Sequence, residues 1–309
     1  MKITLLGAGS MGALFGGLLA EQGHVVTLVD INDEVLQAMT RHGLRLETDE
    51  GVREVSGIQC QRPETLTEPI EWLWVLTKTH QTTAAMAGIQ HRLSPESWVM
   101  SVQNGLGNLA KLEAFVPRSQ ILIGTTTWPA DKPAPNHVVT HGQGEIHFMA
   151  ADGGVPAVTE AMADMLNQAG LHAIVVADVW ATVWAKVAFN CALNGLCTVL
   201  NASVDQLSRL PDGERLAFGV VAEVIAVATA QGIRVDQQAV QKTVQHAIAT
   251  HTGHLPSMLQ DWRSGRPTEI EALNGEVVAL ADQYRIPVPL TATLLGLVRL
   301  LSAPRKEAV

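Results

Sequence analysis

The first twelve residues constrain this chain more than any others. An apolar run, Ile3-Thr4-Leu5-Leu6, enters Gly7-Ala8-Gly9-Ser10-Met11-Gly12 and continues into a small-residue apolar stretch reaching Ala20. Strand, glycine turn and helix in that order open a βαβ unit, and a second strand-like run follows at Val25-Val26-Thr27-Leu28-Val29. The physical reason is steric and electrostatic. Without Cβ atoms the first two glycines permit a tight turn and close approach to a phosphate, and the helix start offers unpaired N–H groups and a positive dipole end. The turn therefore predicts a pyrophosphate site built from Gly7, Ala8, Gly9, Ser10, Met11 and Gly12. Asp30 ends the second strand, where a carboxylate can accept hydrogen bonds from an adenosine ribose and would repel a 2'-phosphate, favouring NADH over NADPH. The alternative is that Asp30 caps a helix beginning near Asn32.

Further β-rich runs at Trp72–Leu76, Trp98–Val102 and Ile121–Gly124 alternate with helical stretches. This predicts an α/β fold with an N-terminal Rossmann-type doubly wound sheet over residues 1–177. Asn136 to Met149 reads as a hairpin around Gly142 and Gly144, with Ala173–Val176 closing the sheet. From Asp178 onward helical periodicity takes over, interrupted at Pro211-Asp212-Gly213, Gly232 and Pro287-Val288-Pro289. That predicts an all-helical C-terminal domain over residues 178–309 carrying substrate and chemistry. Two domains suit a chain of 309 residues with 47% hydrophobic content.

A net charge of -9 argues against nucleic-acid or anionic-membrane partners, which are held by surplus Lys and Arg. Cys60, Cys191 and Cys197 share no metal-ligand spacing and read as reduced core thiols, so no metal is expected. The glycines of the N-terminal run make a poor signal peptide, and the apolar stretch Ala217 to Ala230 holds Glu223 and is short for a membrane span. The expectation is a soluble cytoplasmic protein, with long apolar helices leaving room for a homodimer surface.

Lys78 and Asn104 each follow an apolar strand and so occupy strand carboxyl ends, where ligands bind in open α/β sheets. Asn104-Gly105-Leu106-Gly107 adds a flexible turn. For Lys78 a solvated loop lysine is the plain alternative. The strongest pattern is Lys186, Asn190 and Asn194, four residues apart in an otherwise apolar helix and hence on one face. Buried Lys and Asn must find partners. They either tie the helix to its surroundings or form a site in which a desolvated lysine donates a proton. Ser257-Met258-Leu259-Gln260-Asp261 and Arg266-Pro267-Thr268-Glu269-Ile270-Glu271 read alone as loops, with Thr268 or Glu269 capping a helix after Pro267.

Taken together, and in order along nearly the whole chain, these motifs resemble the ketopantoate reductases (2-dehydropantoate 2-reductases), with Gly124-Thr125-Thr126-Thr127 and Asn274-Gly275 as further matches. The resemblance implies NAD(P)H-dependent reduction of the 2-keto acid ketopantoate to D-pantoate on the route to pantothenate and coenzyme A. It implies Lys186 as proton donor, Asn190, Asn194 and Ser257 as substrate contacts, and Asn104 touching substrate and nicotinamide. It also puts Glu269 beside the cofactor and the lysine, Lys78 on the cofactor, and the backbone near Ala130 at the nicotinamide site. Two positions depart from the family pattern. Asp30-Ile31-Asn32 stands where NADPH-using members often carry a basic residue, and His254-Leu255-Pro256 replaces a polar approach to Ser257. These suit a D-2-hydroxyacid dehydrogenase using NADH on another 2-keto acid; a β-hydroxyacid dehydrogenase fits less well, and a catalytically silent NAD-binding regulator is the reading from another class.

Overall fold

Apolar runs become strands here because both faces of the main sheet are covered. The structure, a computed structural model, describes residues 1–154 and 156–303; residue 155, within the first expected domain, and residues 304–309, at the end of the second, lie outside them. The chain divides into two units, one of residues 1–103 and 108–179, the other of residues 104–107 and 180 onward. The first contains β1 (Lys2–Leu6), α1 (Ser10–Glu21), β2 (Val25–Val29), α2 (Asp33–His42), β3 (Leu44–Thr48), β4 (Gly51–Val55), β5 (Gln59–Gln61), β6 (Ile70–Val75), α3 (Thr82–Ile89) and β7 (Leu93–Ser101). It continues with α4 (Asn108–Glu113), β8 (Ile121–Thr126), β9 (Asp131–Ala134), β10 (His137–Val139), β11 (Ile146–Ala150), α5 (Ala157–Gln168) and β12 (Ala173–Val175).

The main sheet has eight strands in the order β12-β11-β8-β7-β6-β1-β2-β5, parallel except where β11 runs against β8. The order steps outward from β1 in both directions, the doubly wound arrangement expected. A second sheet, β4-β3-β10-β9, had no counterpart in the sequence reading. It also overturns the hairpin expected at 136–149. His137–Val139 joins the small sheet, whereas Ile146–Ala150 pairs with β8 over five residues and buries Ile146 and Phe148 in the main core. Gly144 lets the chain pass Trp128 on the way, since a Cβ there would lie 2.4 Å from the Trp128 backbone.

Helix α1 has buried residues on all sides, with Ala13, Leu14, Phe15 and Leu19 in the unit's core. Phe15 meets Trp74 of β6 edge-on with ring centroids 5.5 Å apart. This locks the first helix, and the turn before it, to the middle of the sheet.

The second unit is helical throughout its described residues: α6 (Val179–Leu200, whose first residue belongs to the first unit), α7 (Gly213–Ala230), α8 (Gln237–Thr250), α9 (Ser257–Arg263), a π-helical turn (Glu271–Gly275), α10 (Glu276–Tyr284) and α11 (Pro289–Ser302). Helix α6 is apolar and long enough to cross a membrane, with a mean hydropathy of 1.4, but 72% of that window is buried, so it serves as a core helix. At the start of α11, Glu223 of α7 accepts from the Leu290 and Thr291 N–H groups and the Thr291 hydroxyl at 2.8–2.9 Å, satisfying orphan donors of the helix.

Phe15→Ala should lower stability by about 3–5 kcal/mol, because it empties a fully buried aromatic site that cannot collapse onto a rigid sheet. Urea unfolding followed by tryptophan fluorescence measures this.

Candidate active site

Gly7 has φ +110°, and a Cβ there would lie 2.9 Å from the Thr77 N and 3.0 Å from the Leu76 carbonyl carbon. The turn is thus pressed against the segment leaving β6, which carries Lys78. At Gly12 a Cβ would fall 1.9 Å from the Gly7 carbonyl oxygen. Gly9 differs, because a Cβ there meets nothing within 4 Å. The chain's own packing requires the first and third glycines, while the second borders open space ahead of the Ser10, Met11 and Gly12 N–H groups in the first turn of α1. A cradle with open space before orphan helix donors fits a pyrophosphate.

Asp30 is not a helix cap. Asn32 caps α2, its side chain accepting from the Glu34 and Val35 N–H groups. The Asp30 carboxylate instead accepts from the Ala8 N–H at 2.7 Å and the Asn32 N–H at 2.9 Å, tying the turn to the end of β2. Each oxygen keeps a lone pair for a ribose hydroxyl. On the other side of the same residue, Lys132 of β9 donates to the Ala8 carbonyl at 2.6 Å. No sequence pattern marked Lys132, since the small sheet brings it to a turn 124 residues away. Ala130, two residues earlier, packs against the core of this unit.

The carboxyl ends of β6 and β7 are tied by Gln103, whose amide donates to the Thr77 carbonyl at 2.6 Å and the Thr82 hydroxyl at 2.8 Å and accepts from Ser101 at 2.9 Å. This buckle, also missed from sequence, fixes the segments from which Lys78 and Asn104 depart.

In the helical unit, Lys186, Asn190 and Asn194 share one face of α6 as expected. Asn190 and Asn194 are 9% and 7% exposed and form no side-chain hydrogen bond with another described residue, so their amides are available to a ligand. Lys186 is half-buried as a residue, but desolvation pulls its ammonium down to about 8 while the Glu269 carboxylate opposes the shift. Burial wins.

Glu269, 8% exposed, does not start an ordinary helix after Pro267 as expected. The Gly275 N–H bonds back to the Ile270 carbonyl at 3.0 Å, a π-type step, before α10 begins. Such single π turns recur at functional sites because they re-aim side chains. Asn274 of this turn, wholly buried, donates to the Cys191 carbonyl at 3.4 Å and so ties the turn to α6. The loop 104–107 lies on the same turn: Leu106 N–H donates to the Ala272 carbonyl at 2.9 Å, and Gly105, with φ +85°, approaches that oxygen so closely that a Cβ would lie 2.4 Å from it. Lys186, Glu269 and Asn104 are thereby held by interlocked elements of one unit.

Ser257 stands exposed at the first turn of α9, and α9 is anchored at its far end, where Arg263 donates to Asn201 at 2.8 Å. The neighbouring His254 is held by its backbone, its carbonyl accepting from Val204 at 3.0 Å. The cysteines take no part: burial raises Cys191 and Cys60 and pushes Cys197 up to about 12, leaving thiols rather than thiolates.

Two family models match the chain, one over most of the sheet-containing part and one over the helical part. "Ketopantoate reductase PanE/ApbA" matches residues 3–153, and "Ketopantoate reductase PanE/ApbA C terminal" matches residues 178–302. The chain belongs to the ketopantoate reductase family. Among curated family relatives, the 2-dehydropantoate 2-reductase of Halobacterium salinarum is 33% identical over 97% of this chain and 98% of its own length. That of Lactococcus lactis is 28% identical over 96% and 97%. Among solved structures, a D-mandelate dehydrogenase with NADH and anilino(oxo)acetate superposes with a TM-score of 0.94 at 28% identity, covering 98% of each chain. A PanE/ApbA family ketopantoate reductase from Ralstonia eutropha gives 0.90 at 28% identity, again over 98% of each. Family membership makes this chain a nicotinamide-dependent oxidoreductase acting on CH–OH groups.

Gly105→Ala and Gly107→Ala impose similar left-handed strain, but only the first drives a Cβ into backbone; Gly107 faces the movable Glu276 carboxylate at 3.2 Å. Gly105→Ala should therefore cost about 2–5 kcal/mol. Gly107→Ala should cost clearly less, as thermal unfolding of the pair will show.

Proposed function

We propose that this enzyme reduces ketopantoate to D-pantoate, with Lys186 as the proton donor. The observation that carries the reading is the desolvated Lys186 ammonium on a face shared with two uncommitted asparagine amides. Reduced nicotinamide, when bound at the glycine cradle, supplies a hydride to the keto carbon. The residues of this chain do the rest. Asn190, Asn194 and Ser257 hold the 2-keto acid, and Asn104 orients it. As negative charge builds on the keto oxygen, the Lys186 ammonium stabilises it and then gives up a proton that burial has already made transferable. Glu269 keeps that proton from leaving too early, since its carboxylate favours the charged amine. Asp30 selects NADH: its oxygens suit a ribose diol and repel a 2'-phosphate. Such an enzyme would work in the cytoplasm.

A second reading is supported by the likeness to the D-mandelate dehydrogenase at a TM-score of 0.94. In it the chain is an NADH-dependent D-2-hydroxyacid dehydrogenase, and His254-Leu255-Pro256 shapes the pocket for a different side chain. A matrix of two cofactors against ketopantoate and several aromatic and branched 2-keto acids decides between them. The ketopantoate reading expects the highest kcat/KM on ketopantoate, and a markedly higher value on an aromatic or branched acid would overturn it. Preference for NADH should reach about tenfold or more, corresponding to about 1.4 kcal/mol; a strong NADPH preference would remove the role given to Asp30.

Lys186→Ala should reduce kcat by about 10²–10⁴-fold, the range of general-acid catalysis, with cofactor affinity largely kept. Because the acid must be protonated, wild-type turnover should fall as pH rises through about 8. Glu269→Gln removes the opposing pull, so its alkaline limb should move to lower pH. A limb that stays in place would show that Glu269 does not govern the Lys186 proton.

A further inference from the structure

Lys132 has no part in the steps above, yet it is built into the nucleotide cradle. Its ammonium carries three donors. Among the described residues it has one hydrogen-bond partner, the Ala8 carbonyl at 2.6 Å, and no ion pair within 4.0 Å. Ala8 is held on its other side by Asp30 at 2.7 Å. The cation therefore stands at the glycine turn, close to the carboxylate at the end of β2, and the turn borders open space at Gly9.

Partial burial of an ammonium whose one hydrogen-bond partner among the described residues is a neutral carbonyl carries a desolvation cost. The cost is visible in its acidity. Desolvation pulls Lys132 down to about 8, although the Asp30 and Glu34 carboxylates favour its charged form. A surface lysine with only a structural duty would remain solvated. A partly desolvated lysine at the glycine turn, beside a helix N-terminus, is placed for an anion, which its ammonium would bind through charge-assisted bonds.

We propose that Lys132 is a phosphate-binding residue of the cofactor site, its two remaining ammonium donors taking phosphate oxygens of the dinucleotide, from the pyrophosphate or from the 2'-phosphate of NADPH. This rests on the reading of the glycine turn as a dinucleotide cradle. It also bears on cofactor choice, since a cation beside Asp30 offsets part of that carboxylate's repulsion of a 2'-phosphate.

The experiment is direct binding, by fluorescence titration and calorimetry without substrate, of NADH and NADPH to the wild type, Lys132→Met and Lys132→Gln. Lys132→Met should raise Kd for at least one cofactor about tenfold or more. Equal losses for both assign the pyrophosphate, and a loss confined to NADPH assigns the 2'-phosphate; both support the proposal. Wild-type affinity should also weaken from pH 7 to pH 9 as Lys132 loses its proton, and this dependence should vanish in both variants. Lys132→Gln keeps a neutral donor for the Ala8 carbonyl. If it keeps the wild-type Tm but loses affinity, the charge matters rather than the tether. If Lys132→Gln binds both cofactors as tightly as the wild type with the same pH dependence, the lysine only braces the turn and the proposal is overturned. A wild type that binds neither cofactor would overturn the dinucleotide reading itself, and a wild type that binds while Lys132→Met matches it would overturn this proposal alone.

Discussion

The Gly7 carbonyl occupies the space a side chain at position 12 would need, 1.9 Å from where its Cβ would lie, and the rest of the nucleotide unit is organised around that contact. It brings the first turn of α1 onto the end of β1, so that orphan N–H groups gather at the carboxyl edge of the sheet. The same turn is wedged against the backbone leaving β6, and Asp30 and Lys132 hold the two polar atoms of Ala8 from opposite sides. An anion site made of backbone donors works only when those donors are aimed before the ligand arrives, because orienting them afterwards would consume binding energy. The edge-on packing of Phe15 on Trp74 extends that rigidity into the core.

In the helical unit the controlling effect is the competition at Lys186 between desolvation and a carboxylate. For the proton-donor role proposed for Lys186, desolvation lowers the ammonium and the Glu269 carboxylate raises it. Together they leave the group near pH 8, charged at neutral pH and still able to release its proton. Asn274 of the π turn is tied to the Cys191 carbonyl of α6, and Glu269, two residues before that turn, lies within the lysine's electrostatic reach.

How much of this was legible in the sequence follows from the range of the interactions. The glycine turn, the four-residue stripe on α6 and the strand ends carrying Lys78 and Asn104 are local patterns, and periodicity and turn chemistry expose them. The small sheet joins two local hairpins, β3–β4 and β9–β10, through the distant pairing of β3 with β10, and that long-range step, like the contact of Lys132 with Ala8, left no readable trace. The expected hairpin failed for the same reason. Its first arm paired with β3 and β9 in the small sheet, and its second with β8 and β12 in the main sheet. Glu269 was visible as a residue but its setting was not, because a π step differs from an α-helical turn by one hydrogen bond and has no sequence signature.

Asp30 shows why a local motif can name a site without fixing its specificity. As a single residue at a strand end it argues for a ribose diol and against a 2'-phosphate. In the folded protein it already accepts two backbone N–H bonds, so part of its charge is committed to holding the turn, and a half-dehydrated cation stands close by. The field at the end of β2 is therefore the sum of opposing charges on β2 and β9, two elements that belong to different sheets. Cofactor choice in such a site is a difference between two affinities. In the reading proposed here, it is set by the balance between Asp30 and Lys132 rather than by the carboxylate alone.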